Sequence, residues 1–366
     1  MDYQVPTFDA LMLSVQGEDL VAVAGSGDEL TELSAHLGST FVYQRQNPNA
    51  SLAVGNQADL RADPQEDGST LVQSSEVLQG EARQYFNGPR GLYLGAGAGL
   101  GVAAVGEADP TLESLVFAGA GYGRIVDART VAQAAAVYEA LDRPATAEDL
   151  LRVAEIIGQR NAYGVTYRFE ANQVFYADLT EALGGLEGAE AFIVQQVLES
   201  PIYNIGARQV GWEVGVRGAS VVTGLGSSDA LGSSYVQQHA GYAHLLDART
   251  GLLVEERVTL GLDDRAESTL DDDFVSPGEN VVEGELQLTV NRNHSAMWES
   301  LARASLTQTL DLEANQGAPT YELGAQTNVA LGVRGVASAG VAVQDTAGDD
   351  LDTEWRALAS FRIFLL

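Results

Sequence analysis

Leu92, Leu94, Ala96, Ala98, Leu100, Val102 and Ala104 fall on one side of an extended chain, and Tyr93, Gly95, Gly97, Gly99 and Gly101 fall on the other. A period of two is the mark of a β-strand whose faces meet different surroundings. The pattern recurs. Val210, Trp212, Val214 and Val216 oppose Gly211, Glu213, Gly215 and Arg217, and Leu286 and Leu288 oppose Glu283, Glu285, Gln287 and Thr289. Tyr321, Leu323, Ala325, Val329, Leu331 and Val333 oppose Glu322, Gln326, Asn328 and Arg334. In the last segment Trp355, Ala357, Ala359, Phe361, Ile363 and Leu365 oppose Glu354, Arg356, Ser360 and Arg362.

Read this way, strands are predicted over 9–24, 29–45, 50–65, 69–85, 91–106 and 112–124, then over 206–223, 233–246, 252–264, 281–291, 296–312, 319–334, 336–345 and 351–366. Several run 12 to 16 residues, whereas soluble strands have about 5–6 and a tilted membrane strand needs about 9–11. Aromatic rings near the ends of the apolar stripes (Tyr122, Trp212, Trp298, Tyr321, Trp355 and Phe361) fit an interfacial girdle. Asn47-Pro48-Asn49, Asn87-Gly88-Pro89-Arg90 and Asp247-Ala248-Arg249-Thr250-Gly251 read as short turns, while Asp263 to Asn280 and Gln344 to Asp350 are longer acidic links. Short turns alternating with long loops fit fourteen strands with both chain ends on the turn side; twelve is the alternative count. The fold class expected is an all-β transmembrane antiparallel up-and-down barrel with a four-helix insert.

The period changes between 125 and 203. Val131, Ala134, Ala135, Tyr138 and Leu141 share a helical face, and Thr146 to Asp149 forms a capping box ahead of Leu150, Val153, Ile156 and Ile157. Two further helices are predicted, over about 170–183, ending at Gly184-Gly185, and about 189–199, before Pro201. The organisation expected is therefore a first part of the barrel over 9–124, a helical insert over 125–203, and a second part of the barrel over 204–366. The insert either hangs at the periplasmic mouth or folds up as a plug against the glycine face at Gly95, Gly97, Gly99, Gly101, Gly119, Gly121 and Gly123. The alternative for those glycines is that they ease strand coiling or receive a side chain.

The stretch Gly121-Tyr122-Gly123-Arg124-Ile125-Val126-Asp127, followed by Ala- and Leu-rich helices and further strands, resembles a class of large bacterial outer-membrane barrels. They carry a GxGR-hydrophobic-hydrophobic-Asp strand end before periplasmic helices. The final strand, ending Phe364-Leu365-Leu366, resembles the C-terminal strand recognised by the barrel assembly machinery, although that family usually ends in Phe or Trp. The resemblance implies a porin-like barrel in contact with outer-membrane lipid and lipopolysaccharide, with no catalytic residues to carry over. It also implies a secretory signal removed ahead of Met1.

Charge and composition narrow the chemistry. There are 51 acidic and 20 basic residues, for a formal charge of −31, and every basic residue is Arg. Without lysine there is no Schiff base or P-loop lysine, and so acidic a surface repels nucleic acid. The balance suggests a halophile. With no cysteine, disulfides, thiolate catalysis and Cys-based metal sites are excluded. The four histidines, His36, His239, His244 and His294, show no metal-binding spacing; His239 and His244, five apart, face opposite sides of a strand, and His294-Ser295 is placed in a turn. Gly95 to Gly101 lacks the helix a dinucleotide site requires. Asp271, Asp272 and Asp273 and the run from Asp345 to Asp352 read as solvated loops, with loose calcium binding as the alternative; no other cofactor is expected.

What remains is the inward face. Glu213, Arg217, Glu255, Arg257, Glu283, Glu285, Arg303, Glu322, Arg334, Arg356 and Arg362 are predicted to line the lumen. Opposed charges there set ion selectivity in an open pore, or pair with one another in a closed one. The expectation is a non-enzymatic channel for small polar solutes or ions. The alternative is a non-conducting anchor whose insert docks a periplasmic partner. Oligomeric state is left open.

Overall fold

In the computed structural model, fourteen antiparallel strands close on themselves in sequence order, with β1 paired to β14. The structure describes residues 8–26, 29–64, 70–105, 110–200, 202, 208–224, 231–247, 249–263, 280–295, 297–312, 317, 319–331, 335–346 and 354–364. For 8–36, 63–64, 70, 161–162, 164–165, 231, 354, 358 and 364 it describes the backbone alone. The strands are β1 Phe8–Ser26, β2 Glu29–Asn47, β3 Ala50–Pro64, β4 Thr70–Phe86, β5 Leu92–Val105, β6 Thr111–Asp127 and β7 Gln209–Thr223. They continue as β8 Leu231–Leu245, β9 Thr250–Gly261, β10 Val281–Ser295, β11 Trp298–Asp311, β12 Pro319–Leu331, β13 Gly335–Thr346 and β14 Glu354–Phe364. Closure leaves every strand with two hydrogen-bonded neighbours, which is what a sheet in hydrocarbon requires.

Most predicted strand boundaries shift by one to three residues, and that of β10 by four. β6 runs on to Asp127, and β10 runs on to Ser295. His294 is therefore part of a strand end and not of a turn. It stacks on Trp298 at 4.2 Å and shares a hydrogen bond of 3.0 Å with Ser300 Oγ. The turn chemistry holds elsewhere. Asn47 Oδ1 accepts from the backbone N–H groups of Asn49 and Ala50 at 2.9 and 2.8 Å. Asn87 and Gly88 take φ of 61° and 103°, the left-handed pair of a tight hairpin. Asp247 Oδ1 accepts from the N–H of Arg249 at 2.7 Å.

Register divides the wall into two faces. Outside are Leu94, Leu100, Val116, Val216, Leu286, Leu323 and Val341, all exposed. Unsatisfied apolar surface of this extent is stable only against lipid or another protein. At the turn end the outward rings are Tyr122, Trp212 and Trp298, with Phe361 in register with Ala337; at the loop end they are Tyr321 and Trp355. Tyr122 and Trp212 lie 5.8 Å apart. Tyr242 joins this row and was absent from the predicted girdle.

The four predicted helices are present as α1 Arg129–Ala140, α2 Ala147–Gly158, α4 Ala171–Ala182 and α5 Gly188–Leu198; α3 Arg160–Tyr167 and the 3-10 turn Arg168–Glu170 join the middle pair. The Thr146 capping box forms, with the Asp149 N–H donating to Thr146 Oγ1 and the Thr146 N–H donating to Asp149 Oδ2. A second box joins Glu187 to Glu190. At the end of α4, Gly184 and Gly185 take φ of 75° and 104°. The carbonyls freed there accept from Arg143 and Arg152. The helices bury a core of their own around Val137, Val153, Ile157, Phe175, Leu179 and Val194.

Candidate functional site: the charged inner wall

The inner wall of β4 to β10 carries a connected polar cluster. Arg83 on β4 donates from one terminal nitrogen to both oxygens of Glu213 on β7, at 3.2 Å each, and bonds Glu81 beside it. Its guanidinium lies 5.2 Å from the Tyr93 ring centre. The Tyr93 hydroxyl meets His239 Nε2 on β8 at 2.9 Å, and the same nitrogen is 3.7 Å from Glu213. Arg217 lies over the Phe117 ring at 5.6 Å. Further round, Arg257 on β9 pairs with Glu285 on β10 at 3.6 Å. Apart from Glu285, these groups, with Gln237 and Glu255, line a recess of about 160 Å³.

Glycine makes the reach from β4 to β7 feasible. The inner faces of β5 and β6 between them are largely glycine, and side chains from neighbouring strands lie flat across the backbone. A methyl group at Gly121 or at Gly215 would sit 2.5 Å from the Tyr93 hydroxyl, and one at Gly97 would collide with the Phe117 ring. Among the described residues, Gly97 and Gly121 thus receive Phe117 and Tyr93, and Gly215 receives Tyr93 and His239.

The remaining predicted lumen residues are placed by register. Glu255, Glu283, Arg303, Glu322, Arg356 and Arg362 stand on the inner face; Arg334 and Asp271 to Asp273 lie outside the described residues. His239 faces in and His244 faces out, the latter stacked on Tyr242.

At the turn end the wall is sealed on two sides by arginines that the alternation did not single out. Arg124 follows Gly123, which takes a φ of 91°. Its guanidinium packs 4.3 Å from the Tyr85 ring centre and donates to the carbonyls of Asn47 and Pro48 at 2.9 and 3.3 Å. Opposite, Arg208, where the chain returns from the helices, donates to Glu299 at 3.1 Å and to Asn293. The second Glu299 oxygen accepts from Asn328 at 3.1 Å. Arg208 and Glu299 are 1% and 0% exposed, and Ile202 is buried too. Rim contacts hold the helices at this mouth: Arg249 in the β8–β9 turn bonds Glu139 on α1, and the Arg129 side chain donates to Gln44 at 3.5 Å.

Within the insert, several acids and phenols are displaced in pKa. Bonds from Thr146 hold the Asp149 carboxyl below the usual range, and the Glu187 backbone and Arg143 do the same for Glu190. Burial, with Asp178 accepting from its hydroxyl at 2.6 Å, pushes Tyr163 up to about 12.

A closed fourteen-stranded wall with an apolar outside and charges inside decides the architecture. The fold is that of a bacterial outer-membrane β-barrel. No protein-family model and no curated protein sequence matches the chain. Among solved structures the barrel is similar to a BenF-like porin from Pseudomonas fluorescens Pf-5, at 8% identity over 98% of this chain and 99% of that one, TM-score 0.40. It is also similar to the Pseudomonas putida toluene transporter TodX, at 8% identity over 97% and 89%, TM-score 0.39. A third likeness is to the β domain of the Bordetella autotransporter BrkA, at 10% identity over 97% and 99%, TM-score 0.35.

Proposed function

We propose that this barrel stands in the bacterial outer membrane as a passive channel for small polar solutes or ions, with selectivity set by inner-wall Arg and Glu. It works by diffusion, with no bond made or broken. The observation that carries the reading is the inner wall itself. Arg83, Glu213, His239 and Arg217 on one arc, and Arg257 with Glu285 beside them, place opposite charges around a water-accessible recess inside an apolar cylinder. In an aqueous pore such charges discriminate ions by sign. The turn end would face the periplasm, so the helices would lie at the periplasmic mouth and narrow it. Among cofactors, loose calcium at the acidic outer loops is the one candidate, and the lipid and lipopolysaccharide of the outer membrane, the assembly machinery and a periplasmic ligand of the insert are the partners.

Planar-bilayer recording tests it. Stepwise current is expected. Reversing one wall charge, Arg217→Glu or Glu285→Arg, should change the cation-to-anion permeability ratio about fivefold or more. Unchanged selectivity in both variants would refute the role of the wall.

One observation favours a second reading, a shut barrel that anchors a docking module: the Arg208–Glu299 contact and buried Ile202 occupy the turn-end mouth beside β10 to β12. Electrical silence of correctly folded, inserted protein would select that reading.

A further inference from the structure

Between the two rows of aromatic rings the outer wall is mainly Leu, Val and Ala. Glu256 interrupts it at mid-height. It stands at the centre of β9, outward and exposed, with Val254 and Val258 on either side along the strand and Ala240 and Leu286 across from it. Its diagonal neighbour is Gln238, the middle residue of β8, also outward and exposed. Neither side chain has a hydrogen bond or ion pair among the described residues.

Other outward charges do not share this predicament. Arg45, Arg292 and Asp345 stand close to strand ends. Glu76 lies toward the loop end of its strand and accepts from Asn56 of its own chain at 3.1 Å. An ionisable group at mid-depth in hydrocarbon is costly and is retained where a partner meets it. The surroundings favour close approach, since Gly218, Ser220, Ser234 and Ala240 are all small and outward. A methyl group added at Gly218 would meet nothing within 4 Å. Small residues beside a hydrogen-bonding group are what intramembrane contacts use.

We propose that this patch is a self-association face, where two copies of the chain meet about a two-fold axis parallel to the barrel axis, each Glu256 against the partner's Gln238. The patch is complementary to itself. Such an axis sets β9 of one copy against β8 of the other, and both residues sit at the middle of their strands. The carboxamide N–H then donates to the carboxyl oxygen, twice per pair of barrels. The inference rests on the membrane reading of the barrel.

The chain has no cysteine, so single substitutions report cleanly. Q238C and E256C proteins are mixed, reconstituted in phosphatidylethanolamine–phosphatidylglycerol vesicles and oxidised. The mixture is expected to form a mixed disulfide dimer more readily than a control, L323C, on the wall of β12. E256L should weaken the dimer about tenfold in sedimentation, by loss of two intramembrane hydrogen bonds. E256Q, which keeps a hydrogen-bonding group, should hold it, and stands in should E256L misfold. A barrel that is protected from protease in the vesicles, yet monomeric or cross-linked equally well at L323C, overturns the proposal and leaves the membrane reading intact. A chain that never becomes protected overturns both.

Discussion

Arg208 and Glu299 show how differently the two faces of the wall treat charge. Water is almost wholly excluded from this pair, Asn293 accepts from Arg208, and Asn328 donates to Glu299. Removing one member leaves the other charge buried and unanswered, so R208M or E299L alone should each cost about 3–5 kcal/mol of stability. The double variant R208M/E299L should cost far less than the two summed, because no orphan charge is left. Urea titration of vesicle-inserted protein, followed by fluorescence of its three tryptophans, measures both; additive losses would contradict the pairing. Arg83 and Glu213 differ, since both keep some contact with the recess, and their exchange should alter permeation more than stability. Tyr93 is held by what its neighbours lack, with Gly121 and Gly215 leaving the space its phenol fills.

Among the elements, strands were largely legible and helix ends partly so. Alternation alone assigns Arg257 and Glu285 to one face, because side-chain direction in a strand is fixed by parity. It cannot say that they meet, since that depends on the β9–β10 register. The same limit hid Arg83, Tyr93 and His239, whose strands are joined only by pairing across glycine. Arg124 was present in the quoted motif, but its partner is the Asn47–Pro48 turn, far away in sequence. Arg208 follows no period at all. The insert's capping boxes, by contrast, are local; the one at Thr146 and Asp149 was read directly, and the one at Glu187 and Glu190 was not. They bring a pH dependence. Asp149 and Glu190 have lowered pKa values, so the stability they give their helices is present above the ordinary carboxylate range and is lost as pH falls through the lowered values. Tyr163 is the opposite case: its raised pKa of about 12 gives stability that is full below the ordinary phenol value and is lost as pH rises through 12. Hydrogen exchange should therefore show the N-terminal turns of α2 and α5 loosening first in acid. Protection unchanged down to pH 2 would contradict the assignment.

For the whole molecule, the insert is an elaborated hairpin. The Ala128 N–H donates to the Arg208 carbonyl at 2.6 Å, so the chain leaves and re-enters the sheet at adjacent points. The helices also have their own core. Replacing 129–207 by a short turn should leave a closed, protease-protected barrel. If the insert narrows the mouth, single-channel conductance of that variant should exceed that of the parent in bilayer recordings. Equal conductance would assign the restriction to the wall.

Closure also bears on assembly. The β1–β14 ladder joins Ser14 to Phe364 and Ser26 to Glu354, the two barrel strands farthest apart in sequence. That seam cannot exist until β14 is available, and until it forms the sheet keeps two unsatisfied strand borders that invite mispairing. Losing even the terminal strand would leave such a border permanently open inside lipid, where no water is present to satisfy it. Closure is therefore all-or-none: β1 and β14 must both be in place before the sheet loses its open borders.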